Sequence, residues 1–311
     1  MSKLNTNQMN IGAGTELFTP PPTGSTGFFV RLGYFLQMID IGHSLFALPF
    51  AYLGAFLAVG GVPTLRDLWW ITLAMIGART AALCLNRLID RHLDARNPRT
   101  SGWILPQGLV ALEVVWASIA GSLVLLFWAA SQLNLLCVKL APLAVIVLVG
   151  YSYTKRFTWT CHLILGLAIG MGPLGAWIAI KEAITWTPIF IGLAVAFWIA
   201  GFDMMYACQD KEFDRQEGLY SIPARFGIRA TLLISAVLHF FTVALLILVG
   251  LWENLGWIYY LGIGVAMAVL IYEHRLVTPQ DLSKMHTAAF GLNRYVSIII
   301  FLCTLVDLVW I

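Results

Sequence analysis

Two stretches of this chain gather polar and acidic residues at one repeated step: Asn86-Arg-Leu-Ile-Asp90-Arg-His-Leu-Asp94 and Tyr206-Ala-Cys-Gln-Asp210-Lys-Glu-Phe-Asp214. A four-residue step stacks side chains on one face of a helix, so each stretch presents a column of oxygens. Such columns suit a hard cation, above all Mg2+, and a carboxylate-bound cation with open positions suits a phosphorylated substrate. Glu212 and Glu217 lie close enough in sequence to assist the second column. One Asp-x-x-x-Asp alone reads as a solvated helix end. Two matched copies, each following an apolar run and entering a long loop, point to a shared site.

The complementary charge is available nearby in Tyr151-Ser-Tyr-Thr-Lys-Arg, where Lys155 and Arg156 end another apolar run. They are placed to grip a diphosphate and stabilise it as it leaves. Tyr153 and Arg156 join them as candidate substrate contacts. Arg79 lies seven residues before Asn86, and Asp203 seven before Asp210, so each sits two turns deeper on its column's face. An ionisable residue at that depth is expensive in hydrocarbon and marks a functional position. The expectation is that Arg79 and Asp203 line a pocket floor, either paired with each other or orienting an anionic acceptor.

These residues need a scaffold, and the composition says which kind. Hydrophobic residues make up 59% of the 311, charged ones 11%, and the mean hydropathy is +0.82, far from the balance of a soluble domain. Apolar runs at 29–59, 68–90, 109–130, 135–153, 161–180, 189–208, 230–251, 257–273 and 288–309 predict an all-α polytopic bundle of nine transmembrane helices around a central cavity. The first run is long enough to be tilted or bent at Pro49. Lysine and arginine crowd the N-terminal segment and the loops after the second, fourth, sixth and eighth runs, so the N-terminus and both columns belong on the cytoplasmic side and the C-terminus outside.

The net charge of +3 is thus a topology signal, and no nucleic-acid surface is indicated. The five cysteines lack metal or disulfide spacing and read as small core residues, while the scattered histidines form no metal set. Residues 1–27 are expected to be a flexible cytoplasmic lead, and residues 28–311 a single membrane domain. Long cytoplasmic loops at 91–108 and 209–229 each begin inside a column. Spacing suggests two four-helix units plus one helix, with Pro49 and Gly172-Pro173 at matching places. Bent helices of that kind also occur in cation-coupled transporters, which instead hold their key carboxylates near the midplane.

The chain resembles the UbiA-type membrane prenyltransferases over nearly everything after residue 28. The resemblance rests on Asn86-x-x-x-Asp90-x-x-x-Asp94, on Tyr151-x-x-Thr-Lys155-Arg156, and on Gly201-Phe-Asp203-x-x-Tyr206-x-x-x-Asp210-x-x-x-Asp214 with Ser221-Ile-Pro-Ala-Arg-Phe-Gly227 after it. It implies Mg2+ held with a polyprenyl diphosphate by Asn86, Asp90, Asp94, Asp210 and Asp214, with Lys155 on the diphosphate. It also implies transfer of the polyprenyl chain to an aromatic acid acceptor within the lipid bilayer, in a prokaryotic inner membrane. Ser101-Gly-Trp103-Ile104-Leu-Pro106-Gln-Gly108 replaces the Asn-Arg-Pro-Leu-Pro-x-Gly of many 4-hydroxybenzoate enzymes. The acceptor expected first is 4-hydroxybenzoate, of a ubiquinone-type route, with a dihydroxynaphthoate of menaquinone synthesis as the alternative.

Overall fold

The computed structural model describes residues 27–39 and 47–310. The expected lead at 1–27 therefore lies outside the described residues up to its last position. The elements are α1 (Phe28–Met38), α2 (Ala47–Val59), α3 (Leu65–Arg96), α4 (Leu112–Leu133), α5 (Leu135–Thr154), α6 (Cys161–Lys181) and α7 (Trp186–Tyr206). A 3-10 turn (Ala207–Asp210) and a short α8 (Lys211–Gln216) lead to α9 (Ile222–Trp252), α10 (Trp257–Leu276), a π turn (Thr287–Leu292) and α11 (Asn293–Trp310).

Among the described residues, eight helical segments are long and apolar enough to cross a membrane, and α2 is a shorter apolar helix of 13 described residues. The protein is an integral membrane protein, and the expected helical bundle is found. In hydrocarbon every backbone group needs an internal partner, which favours uninterrupted helices. Successive helices from α3 to α7 pack on their neighbours, α9 covers α7, and α11 closes the ring against α2. A buried cluster built on Phe50, Trp198, Phe202 and Tyr259 joins α2, α7 and α10, with the Phe50 and Trp198 rings 5.1 Å apart.

Three expectations are corrected in detail. The first run is not one continuous helix: α1 stops at Met38, and the chain is described again from Ala47, so the backbone leading into the turn that holds Pro49 lies outside the described residues. The first loop begins later than expected, because α3 continues to Arg96 and carries Asp94 on the helix. The second is mostly helical, with α8 inside it and α9 starting at Ile222; the only non-helical residue within α9 is Gly227, at φ 82°. Glycine reaches that conformation without steric cost.

The α6–α7 contact positions chemistry. A Cβ on Gly166 would fall 2.1 Å from the Ala196 carbonyl oxygen, and one on Gly170 would fall 2.3 Å from that of Gly192. Main chain therefore touches main chain, as small residues four apart permit in membrane helices. His162 continues the same α6 face one turn toward the helix start, which brings it to Asp203 on the antiparallel α7.

Candidate functional site

Both acidic columns lie at one end of the bundle, and each is already engaged by cations. Asp90 is 3% exposed and accepts Lys155 Nζ at 2.7 Å on Oδ2 and Arg156 Nη2 at 2.9 Å on Oδ1. Asn86 Nδ2 donates to Asp90 Oδ2 at 3.1 Å, one turn away as the spacing predicts. Arg156 also donates to the carbonyls of Ser152 and Ile89, which pins the end of α5 to α3. Asp94 accepts from Thr100 Oγ1, both at its carbonyl and at Oδ1.

The second column departs from a straight α-helix, because the 3-10 turn separates Tyr206 from Asp210. Its principal partner is Arg99, from the loop after α3. Arg99 Nε reaches Asp210 Oδ1 at 2.8 Å and Nη2 reaches Oδ2 at 2.5 Å, while Nη1 donates to the Tyr206 hydroxyl at 3.1 Å. Asn97 Nδ2 adds a 2.9 Å bond to Asp210 Oδ1. Burial works against the Arg99 charge, but the hydrogen bond and the charge of Asp210 outweigh it, and the guanidinium is held charged above its ordinary range. Asp214 Oδ2 accepts from Ser221 Oγ at 2.6 Å.

The columns share one space. Lys155 is within electrostatic reach of both Asp94 and Asp214, and Arg99 feels Asp94 as well as Asp210. Trp103, which stands where the resemblance leads one to expect arginine, lies between two guanidiniums: Arg87 at 3.9 Å and Arg99 at 5.5 Å from its ring centre. Such stacking fixes both planes while leaving their donors available.

Deeper in, Asp203 is partnered by His162, with Nδ1 2.7 Å from Oδ2 and 29% of the Asp203 side chain still exposed. Of the two expected arrangements, a direct Arg79–Asp203 ion pair does not occur among the described ion pairs, and the orienting of an anionic acceptor stays open. His162, read from the sequence as one of the scattered histidines, is thus the partner of a candidate site residue. Arg79 borders an apolar cavity of about 300 Å3 that continues past Leu148 and Ala144 to Cys137 and Leu133. From Leu148 to Cys137 is about 17 Å of helix, which carries the cavity well into the hydrocarbon layer. Tyr153 is 44% exposed and lies 5.6 Å from the Arg156 guanidinium; Tyr151, two residues earlier, packs against the buried cluster of Ala82, Leu148 and Ala168.

Among the described residues no three His, Cys, Asp or Glu side chains converge as one ligand set. The donor chemistry nevertheless suits Mg2+, which takes one or two carboxylates and completes its octahedron with water and phosphate oxygens. Asp90 and Asp210, with Asp94, Asp214 and the Asn86 amide, offer hard oxygens on two sides of the shared space.

Residues 47–298 match the UbiA prenyltransferase family. A 4-hydroxybenzoate octaprenyltransferase of Nitrosospira multiformis is 30% identical over 254 residues, covering 82% of this chain and 87% of that protein. The apo structure of a UbiA homologue from Aeropyrum pernix superposes with a TM-score of 0.78 at 33% identity, over 86% of this chain and 98% of the other. A UbiA homologue from Archaeoglobus fulgidus, bound to DMAPP and Mg2+, shares the fold at a TM-score of 0.62 and 21% identity, over 86% and 99%.

Proposed function

This chain belongs to the UbiA prenyltransferase family, and from that premise we propose that it transfers a polyprenyl group from its diphosphate to the ring of 4-hydroxybenzoate, with Mg2+ bound between the two acidic columns. The observation that carries the reading is the ion pairing of Lys155 with Asp90 of the first column and of Arg99 with Asp210 of the second, together with an apolar cavity that Arg79 borders. The 4-hydroxybenzoate acceptor and the metal are supported by what the similar proteins are named for and were solved with. The lysine and arginine asymmetry supports a site facing the cytoplasm of a prokaryotic inner membrane, with N-terminus inside and C-terminus outside.

Lys155 and Arg99 exchange their carboxylate partners for diphosphate oxygens, and Arg156 stays on Asp90 as a positioning charge. Asn86, Asp90, Asp94, Asp210 and Asp214 would hold Mg2+, which supplies further neutralisation of the leaving group. The allylic C–O bond breaks with its electron pair passing to the diphosphate, and the residues that bind that developing charge lower the barrier. The cation is attacked by the ring carbon ortho to the hydroxyl. A ring proton is then lost, and we assign Asp203, whose Oδ2 is held by His162, as the carboxylate that receives it. Arg79 orients the acceptor's carboxylate from the cavity side. The apolar cavity takes the isoprenoid chain and keeps water from the cation.

The test is incubation of membranes containing the protein with a polyprenyl diphosphate, Mg2+ and a panel of aromatic acids, with products identified by mass. A prenylated 4-hydroxybenzoate is expected. Prenylation of a dihydroxynaphthoate alone would overturn the acceptor, and no prenylated acid at all would overturn the reaction.

A further inference from the structure

Between α10 and α11 the chain makes the π turn Thr287–Leu292, at the end of the bundle that holds the columns. A π turn disturbs the regular ladder and leaves carbonyls in need of other donors. Here the side-chain amide of Asn293 serves the carbonyls of Ala288 and Ala289, at 3.2 and 3.0 Å. The same amide donates to Glu273 Oε2 at 3.0 Å, and Asn293 Oδ1 accepts from Trp198 Nε1 at 2.5 Å. Glu273 and Asn293 are both fully buried, and Glu273 Oε1 is without a hydrogen-bond partner. One asparagine thus ties α7, α10 and the π turn together, outside the site described above.

A carboxyl group inside a membrane bundle is costly, and packing alone would be served by leucine. What the clamp holds in place is Phe290. Its ring meets Tyr206 edge-on with centroids 4.6 Å apart, and Phe202 at 6.0 Å. Tyr206 in turn carries Arg99 both on its hydroxyl and over its ring, at 4.9 Å, and Arg99 holds Asp210. A continuous series of contacts therefore runs from Glu273 to the second acidic column.

We propose that Glu273 and Asn293 are positioning residues for prenyl transfer: by clamping the π turn they hold Phe290 on Tyr206, and so fix Arg99 and an aromatic wall of Phe202, Tyr206 and Phe290 beside the diphosphate. This rests on the prenyl-transfer reading above. Aromatic faces stabilise a neighbouring cation, and a closed wall excludes water. Loosening the wall lets water add to the allylic cation and release a proton, giving prenyl alcohol in place of prenylated acid.

The experiment compares wild type with Glu273→Leu, Glu273→Gln, Asn293→Ala and Phe290→Leu, purified in detergent and selected for monodispersity, measuring KM for the diphosphate and the ratio of prenyl alcohol to prenylated acid. Glu273→Leu and Asn293→Ala should raise both KM and the alcohol ratio by about fivefold or more, while Glu273→Gln, which keeps an acceptor for Asn293, stays within about twofold of wild type. Should the clamp variants fail to fold, Phe290→Leu carries the test and should show the same rise in alcohol. A wild-type ratio in these folded variants, or Glu273→Gln behaving as Glu273→Leu does, overturns the proposal. A wild type that transfers no prenyl group at all overturns the underlying reading instead, and this inference with it.

Discussion

Arg99 and Asp210 stand 111 residues apart in sequence and meet through two hydrogen bonds, so the second acidic motif is bonded to a cation from the loop that follows the first. The planar fork of arginine matches a carboxylate and a diphosphate equally well. Arg99→Ala should raise KM for the polyprenyl diphosphate about 10- to 100-fold, and Arg99→Lys should recover little of it, because a point charge lacks the fork. Steady-state kinetics with the acceptor saturating decides this; a fully active lysine variant would contradict the fork.

Asp90 is the most buried of the acidic residues in the columns, and its two cations keep only 31% and 26% of their side-chain exposure. Asp90→Ala and Asp210→Ala should each abolish transfer without preventing membrane insertion. Both should also lower stability, the first more, by about 1–3 kcal/mol after allowing for solvent at the cations, since it strands Lys155 and Arg156 whereas the second strands Arg99 alone. Thermal unfolding in detergent, read beside turnover, separates the two effects.

Because protein cations already sit on Asp90 and Asp210, the fold does not depend on a metal to relieve repulsion between the columns. Chelation should therefore remove activity, restored by Mg2+, while shifting Tm by less than about 2 °C in the absence of substrate. A large drop in Tm on chelation would mean that a resident metal holds the columns together.

The Gly166–Ala196 approach leaves no room for a side chain. Gly166→Val should cost about 1–3 kcal/mol by forcing α6 and α7 apart, and should lower kcat by separating His162 from Asp203. Gly264→Ala, at a glycine with open space around it, is the control and should be close to neutral.

The cavity beyond Arg79 is lined by alanines and glycines interspersed with larger aliphatic side chains, and Ala144 is one of the small ones. Ala144→Trp should leave short prenyl diphosphates as substrates and reject long ones, a change in the ratio of kcat/KM between donors that competition assays measure directly.

Much of this was legible in the sequence, for reasons that differ by residue. Asn86 and Asp90 lie one turn apart on a regular helix, so periodicity alone gave their geometry. Lys155 was legible because it ends an apolar run at the level of the columns. Arg99 was not, because it sits in an irregular loop where its charge could equally serve topology, and its partner is distant in sequence. His162 was passed over as a lone histidine; the spacing Gly166-x-x-x-Gly170 was the signal that its helix face makes a close contact. Asn293 and Glu273 gave no periodic signal, since their use depends on a π turn that helical spacing does not predict.

The cations resting on Asp90 and Asp210 give the site the character of an ion exchanger. Whatever enters must bring both signs at once, an anion for the lysine and arginine and a cation for the carboxylates they leave. Either ion alone would break pairs and re-form only half of them. On the proposed reading the site therefore recognises a metal–diphosphate salt as one body, and affinity for the salt should greatly exceed that for either ion offered singly.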